Sequence, residues 1–565
     1  MRTFAFLGLA SVLAACAGKP QSQQHTEPPL PPNVDSEAAT FLKDQVATLS
    51  SLDKTANIAW YDASILGTDE AFKKSAEADA ARDHFLADPE RFKQLQTLRD
   101  GAKASDVILR RQLDVLYLWM LAKQVDPAAL DKITELQKKV EQTFNTYRGK
   151  LDGKEVTLNQ INDVLRTSTD SKKLKAAWET QKGVGPVIVA DLKQLVTLRN
   201  EVARKLGYRD FYALSLAQTE QDETRLLALF EELDKLTREP FLKAKEEVDK
   251  RLAKRLKIKT SELMPWHYQN AFFQEPPDVF ATGLDAVYRK QDTLALAKAF
   301  YTGIGLDTEA IIQRSDLFEK KGKTPHAFEI NIDRADDIRV LANLVPGAEW
   351  QGVILHELGH AVYDLNLAKD LPWLLQEAPA ITTEGMAMVM EGLVENPLWA
   401  EAMGIIDAKT RDKVLPEAKL RATFEALQFS RWTQVMLRFE RSMYENPEQD
   451  LDKLWWDLVE QYQALKRPKD RNAPDYASKI HLAVVPVYYH NYMIGRLFGA
   501  QVHETLAQLV GKPPFEAVYV NDPKVGEFLK TKVFAPGRRF HYEDLATQIS
   551  GKPLAAEAFA RSFAF

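Results

Sequence analysis

Val353-Ile354-Leu355-His356-Glu357-Leu358-Gly359-His360-Ala361-Val362-Tyr363 decides how the rest of the chain is read. Its apolar residues recur at helical spacing, so His356 and His360 project from one face, one turn apart. Two neutral imidazoles so placed can fill two positions of a tetrahedral zinc ion. Glu357 points beside such a metal, about a hundred degrees round the helix from His356. There a general base can take a proton from water. Ile354, Leu355, Leu358, Ala361 and Val362 bury the segment, where ionisable groups are costly unless they have partners. His-Glu-x-x-His is short enough to recur by chance. The reading therefore depends on a third ligand and on transition-state donors elsewhere.

A third ligand is available. Beyond a loop containing Pro372 and Pro379, Thr382-Thr383-Glu384-Gly385-Met386-Ala387-Met388 opens another helical run. Its separation from His360 fits an antiparallel helix pair that brings the Glu384 carboxylate to the metal. Two His and one Glu leave a fourth position open, the arrangement of a catalytic zinc site. Alone, Glu384 would read as a helix-start acid favoured by the macrodipole. Behind His-Glu-x-x-His the ligand reading is the stronger. Met386, Met388 and Met390 read as core filler.

The surrounding chain reads as mainly α. From Ser36 to Gly322 helical patterns follow one another, separated by Gly149, Gly153, Pro186, Gly207, Pro240 and Pro265. Pro325 to Ile332, with Ala327 to Ile332 loosely alternating, is the strand-like exception and stands just before the zinc helix. Afterwards, Pro416 to Phe439 and Val484 to Val510 read as helices, with Pro416 suited to a first turn. A chain of 565 residues exceeds what one core usually organises, so two helical lobes flanking a deep cleft are expected. A net charge of −6 gives no basic footprint and argues against a nucleic-acid partner. No apolar run reaches about 18 residues, so no spanning helix is expected.

The sole cysteine, Cys16, ends an apolar segment, Thr3 to Ala15, that follows Met1-Arg2. Leu13-Ala14-Ala15-Cys16 resembles a bacterial lipobox, which implies cleavage before Cys16 and its acylation. Residues 1–15 then form a signal peptide. Residues 16–36, centred on Pro28-Pro29-Leu30-Pro31-Pro32, form a tether. Residues 37–565 form the helical domain, with the site within 326–492. Ala17, in place of an aspartate, points to an outer-membrane anchor facing the periplasm.

Beyond the zinc motif, the chain resembles peptidyl-dipeptidase A, the angiotensin-converting-enzyme family of zinc peptidases. His356-Glu357-Leu358-Gly359-His360, Asp370-Leu371-Pro372 and Glu384 keep that family's order and spacing. His326-Ala327 matches its substrate-lining strand, Lys479-Ile480-His481 its Lys-x-His, and Tyr489-x-x-Tyr492 its paired tyrosines. Weaker similarity at Ile58-Ala59-Trp60-Tyr61 and Met264-Pro265-Trp266 extends toward the N-terminus.

The resemblance implies one zinc ion on His356, His360 and Glu384, with Glu357 as base and later proton donor. Tyr492 and His481 would stabilise the oxyanion. His326, His481 and the main chain of Ala327 would hold the substrate backbone. Lys479 and Tyr489 would grip the peptide's C-terminal carboxylate. Short peptides would be the substrates, losing dipeptides from the C-terminus. A carboxypeptidase or an oligoendopeptidase using the same residues stays open, as do an inactive peptide-binding lipoprotein and a structural envelope lipoprotein.

The segment from His481 to Tyr492 is one residue longer than the family spacing. Asn491 stands where chloride-activated members carry arginine, so chloride dependence through that position is not expected. Met388 replaces an aspartate that supports a zinc histidine, leaving Asp364, Glu391 or water for that role. The family's carboxylate-binding glutamine has no evident counterpart.

Overall fold

The computed structural model describes residues 34–102, 106–469 and 471–562. The signal-peptide and lipobox readings, Cys16 among them, lie outside the described residues. Helix α1 (Val34–Leu66) begins just inside the stretch read as tether. Among the described residues, β structure amounts to two antiparallel ribbons. These are β1 (Gly149–Leu151) with β2 (Lys154–Val156), and β3 (Phe328–Asn331) with β4 (Ile338–Leu341). The fold is mainly α, as the periodicities predict.

The helices that build the site follow α1 as α2 (Val107–Leu121), α3 (Gly185–Lys205), α4 (Glu223–Leu256), α5 (Ala348–Leu365), α6 (Ala380–Gly392), α7 (Ala408–Glu445), α8 (His481–Val484) and α9 (Tyr489–Val510). Several start where an aspartate can satisfy a free N–H. Asp106 accepts from Leu109 N, Asp222 from Arg225 N and Asp407 from Thr410 N, at 2.7–2.9 Å.

Three local expectations are corrected. Pro240 and Pro416 do not end or begin helices but lie inside α4 and α7. A proline costs about 3 kcal/mol in a helix interior. In α4 that cost is outweighed by buried residues on both sides of it, Phe230 and Leu233 before and Phe241 and Val248 after. Gly149 and Gly153 belong to the β1–β2 ribbon rather than to a helix boundary. The run Val484 to Val510 is not one helix. It breaks into the end of α8, a turn at Val487 with φ 56°, and α9.

Most of the apolar core falls into two of its four clusters. The principal cluster takes in α3 to α9, and a smaller one lies under α1 and α2. The smaller cluster packs on Leu371, Leu374 and Leu375, in the loop between α5 and α6. Arg334 bolts this junction. Its guanidinium lies 4.7 Å from the rings of both Trp119 and Trp373. It also donates to Asp53 at 3.1 Å and pairs with Glu377 at 3.4 Å.

Helices α5, α6 and α9 approach unusually closely, and glycines allow it. A Cβ on Gly359 of α5 would lie 3.2 Å from Ala387 Cα of α6. A Cβ on Gly385 of α6 would lie 2.5 Å from Gly495 O of α9, and one on Gly499 would lie 2.6 Å from Gly385 O. Gly385→Ala should therefore lower stability by about 1–3 kcal/mol, read from the urea midpoint. Gly392→Ala is the control, since nothing lies within 4 Å of its added Cβ. It should be neutral or stabilising by up to about 1 kcal/mol. Equal effects of the two would contradict the close crossing.

Candidate active site

The α5–α6 contact assembles the metal-ligand set read from the sequence. His356 Nε2 lies 3.1 Å from His360 Nε2. Glu384 Oε2 lies 3.9 Å from the first and 3.7 Å from the second. Donors of a tetrahedral zinc at 2.0–2.1 Å stand about 3.3 Å from one another, and the observed spacings bracket that value. The far ring nitrogens are already engaged. His356 Nδ1 donates to Glu391 Oε2 at 3.0 Å and His360 Nδ1 to Thr383 Oγ1 at 2.7 Å. Both Nε2 lone pairs are thereby aimed at the common point. Among the described residues this is the group whose His, Cys, Asp and Glu side chains converge tightly enough to hold a metal. The residues fit a zinc ion.

Glu391 thus takes the supporting role that Met388 leaves vacant. Met388 Cε instead fills the α6–α9 crossing, 3.0 Å from where a side chain on Gly495 would begin. Asp364, the other acid weighed for that role, is turned toward Asn331, Arg334 and Glu377. Met386 and Met390 are core residues.

Glu357 is 9% exposed beside the ligands. Burial pushes its pKa up to about 7, with His356 opposing and Glu384 and Glu391 adding to the rise. The backbone N–H of Glu329, on β3, pulls the other way. For His356, burial favours the neutral ring, but Glu391 and Glu384 outweigh it and raise the pKa to about 9 in the metal-free protein. Burial and the neighbouring His356 hold His360 near 3.

The turn and first residues of α9 supply phenols. The charge of Glu384 acts on both Tyr492 and Tyr488, which burial and that charge hold above the ordinary phenol range. Their rings meet edge to face at 5.3 Å. Tyr489 touches Tyr492 at 5.4 Å and His481 at 5.2 Å. His481 is kept neutral, its pKa lowered to about 4 by burial and by Lys479, and its buried Nδ1 makes no hydrogen bond.

Beyond Tyr489 lies a buried cation. Lys479 is 6% exposed, and burial lowers its pKa to about 8. Its Nζ donates to Gln274 Oε1 at 2.6 Å, and Tyr489 OH donates to the same oxygen at 3.4 Å. Gln274 is a residue that sequence reasoning missed. It precedes Lys479 by more than a third of the chain and stands in no local motif. Tyr488 was missed because the extra residue before Tyr489 hides which tyrosine faces the metal. A cavity of about 490 Å³ opens here, lined by Gln274, Lys479 and His481, by Gly149 and Val156 of the β1–β2 ribbon, and by Arg166. The metal ligands do not line it.

His326 and Ala327, read from the sequence as substrate strand, stand just ahead of β3 and outside the ligand cluster. His326 is exposed. Ala327 is partly buried against the principal core. His490, unassigned by sequence, is buried and bonds to Gln221 Oε1 at 2.9 Å. Asn491 accepts from Gln221 Nε2 at 2.6 Å.

Glu391→Ala should lower zinc affinity by about 10- to 100-fold and leave the fold intact, since it orients a ligand rather than binding the metal. Competition with a chromogenic chelator measures this. Unchanged affinity would show that Glu391 does not support His356.

No curated protein matches the chain. The family model for angiotensin-converting enzyme matches residues 33–243, where the sequence carries the weaker similarities. The model for peptidase family M3 matches residues 160–565, most of the chain and all of the ligand set. Family, ligand set and helical fold agree: the chain belongs to peptidase family M3 and is a zinc metallopeptidase.

Proposed function

We propose that the protein trims short peptides from their C-terminal end, releasing dipeptides. The observation that carries this reading is the Gln274–Lys479–Tyr489 cluster, a buried cation and two polar side chains beside the tyrosines and His481. Burial outweighs the opposing charge of Glu275 at Lys479, and a peptide's terminal carboxylate would add a second counter-charge. A grip at a fixed distance from the scissile bond makes the enzyme count from the chain end.

At such a site a zinc ion supplies Lewis acidity, polarising a carbonyl and acidifying water. The remaining work falls to the chain's own groups. Glu357, held near neutrality by burial, accepts the proton of the attacking water and passes it to the leaving amine. Tyr492, Tyr488 and neutral His481 donate to the developing oxyanion. His326 and the Ala327 main chain, at the entry to β3, would hold the substrate backbone. The Cys16 lipid anchor, placing the enzyme at the periplasmic side of the outer membrane, belongs to the same proposal. A rival reading, internal cleavage, draws support from the cavity shared by Lys479 and the β1–β2 ribbon, which has room for more chain.

Incubation with an unblocked peptide of about ten residues, followed by mass spectrometry, tests the register. Loss of two C-terminal residues at a time is expected, abolished by chelator and reduced at least about a thousandfold in Glu357→Gln. Single-residue trimming or internal fragments would overturn it. Lys479→Met should raise KM by at least about 30-fold with zinc content unchanged.

A further inference from the structure

The chain between His481 and Tyr492 makes a strained elbow. Val487 sits in it at φ 56°, a region that β-branched residues rarely enter. Such a conformation persists only where the surroundings over-determine it. They do so here through side chains that the mechanism does not use.

Glu440 projects from α7 and is 2% exposed. The hydrogen bond it makes among the described residues is from the Val487 N–H, 2.9 Å from Oε1. Arg199 projects from α3, is 3% exposed, and donates Nη2 to Ala483 O of α8 at 2.6 Å. Its other bonds run to Gln137 Oε1 and Tyr444 OH, at 2.9 and 3.3 Å. The elbow is therefore held on one side by a donor to its carbonyl and on the other by an acceptor from its N–H. Glu440 and Arg199 share no hydrogen bond among the described residues, although both are buried beside the elbow. Each reaches the elbow's main chain, Glu440 at the Val487 N–H and Arg199 at the Ala483 carbonyl.

We propose that Glu440 and Arg199 are positioning residues, holding the Val487 elbow so that His481 and the tyrosines of α9 face the same reacting group. The inference rests on the roles proposed for His481, Tyr489 and Tyr492. It assigns neither Glu440 nor Arg199 any contact with substrate.

The test uses a peptide that the wild-type enzyme cuts, whatever the register of cleavage, with kcat and KM measured separately. Glu440→Leu removes the acceptor and should lower kcat by about tenfold or more, with zinc content unchanged. Val487→Gly removes the conformational strain, because glycine adopts positive φ freely. By itself it should leave kcat within about threefold of wild type. In the Glu440→Leu background it should restore kcat to within about threefold, a recovery that a merely structural role would not give.

Full kcat in Glu440→Leu, or a loss that Val487→Gly does not relieve, would overturn the proposal. If the leucine variant fails to fold, Glu440→Gln decides. Glutamine keeps an acceptor for the Val487 N–H, so kcat should stay within about threefold. A folded, zinc-loaded glutamine variant that loses tenfold or more would overturn it. Failure of the dipeptide reading would show in the wild-type product masses, whereas failure of this inference would show in the ratio of variant to wild type.

Discussion

Everything at the centre of this molecule depends on three helices being closer than side chains ordinarily permit. Gly359 lets α5 settle on Ala387 of α6, and Gly385, Gly495 and Gly499 let α6 and α9 meet backbone to backbone. The first contact brings the imidazoles of His356 and His360 to Glu384. The second brings Tyr492 and Tyr488 within the electrostatic reach of that carboxylate. Glu384 is on α6, between the two contacts, so it faces the metal ligands on one side and the phenols on the other. Because interiors are close-packed, a single methyl at Gly385 cannot be absorbed locally and would displace one wall of the site against the other.

Around that crossing, polar groups are arranged in layers. Glu391 and Thr383 orient the two histidines, and the β3 backbone at Glu329 opposes the rise in the Glu357 pKa. Further out, Arg334 joins the smaller apolar cluster to the loop ahead of α6 through Asp53, Glu377 and two tryptophans. On the other side, Gln221 holds His490 and Asn491 at the start of α9. Such polar networks fix geometry more than they add net stability.

The convergence of His356, His360 and Glu384 was legible in the sequence because a helix turns contiguous spacing into a shared face. The mainly α class, the strand ahead of the zinc helix and the methionine filler were legible for similar local reasons. What was not legible depended on tertiary packing. Pro240 looks like a breaker and Pro416 like a helix start, yet both lie inside helices that continue through them. The break before α9 carries Pro486 beside Val487, a breaker that the apolar periodicity of Val484 to Val510 runs straight past. Gln274 reaches Lys479 across more than a third of the chain, a distance at which no spacing rule operates. Glu391 was one of two acids open for the support of His356. Only the fold chose between them, by turning Asp364 toward Arg334 and Glu377.

The central claim is that a zinc peptidase site is coupled to a buried cation that recognises the end of a peptide. Comparing kcat/KM for one peptide with a free and with an amidated C-terminus tests that coupling most directly. Removing the terminal charge should lower kcat/KM by at least about 30-fold, because the buried Lys479 ammonium then loses the carboxylate it grips. Equal turnover of acid and amide would contradict the account, leaving a zinc peptidase that does not measure from the chain end.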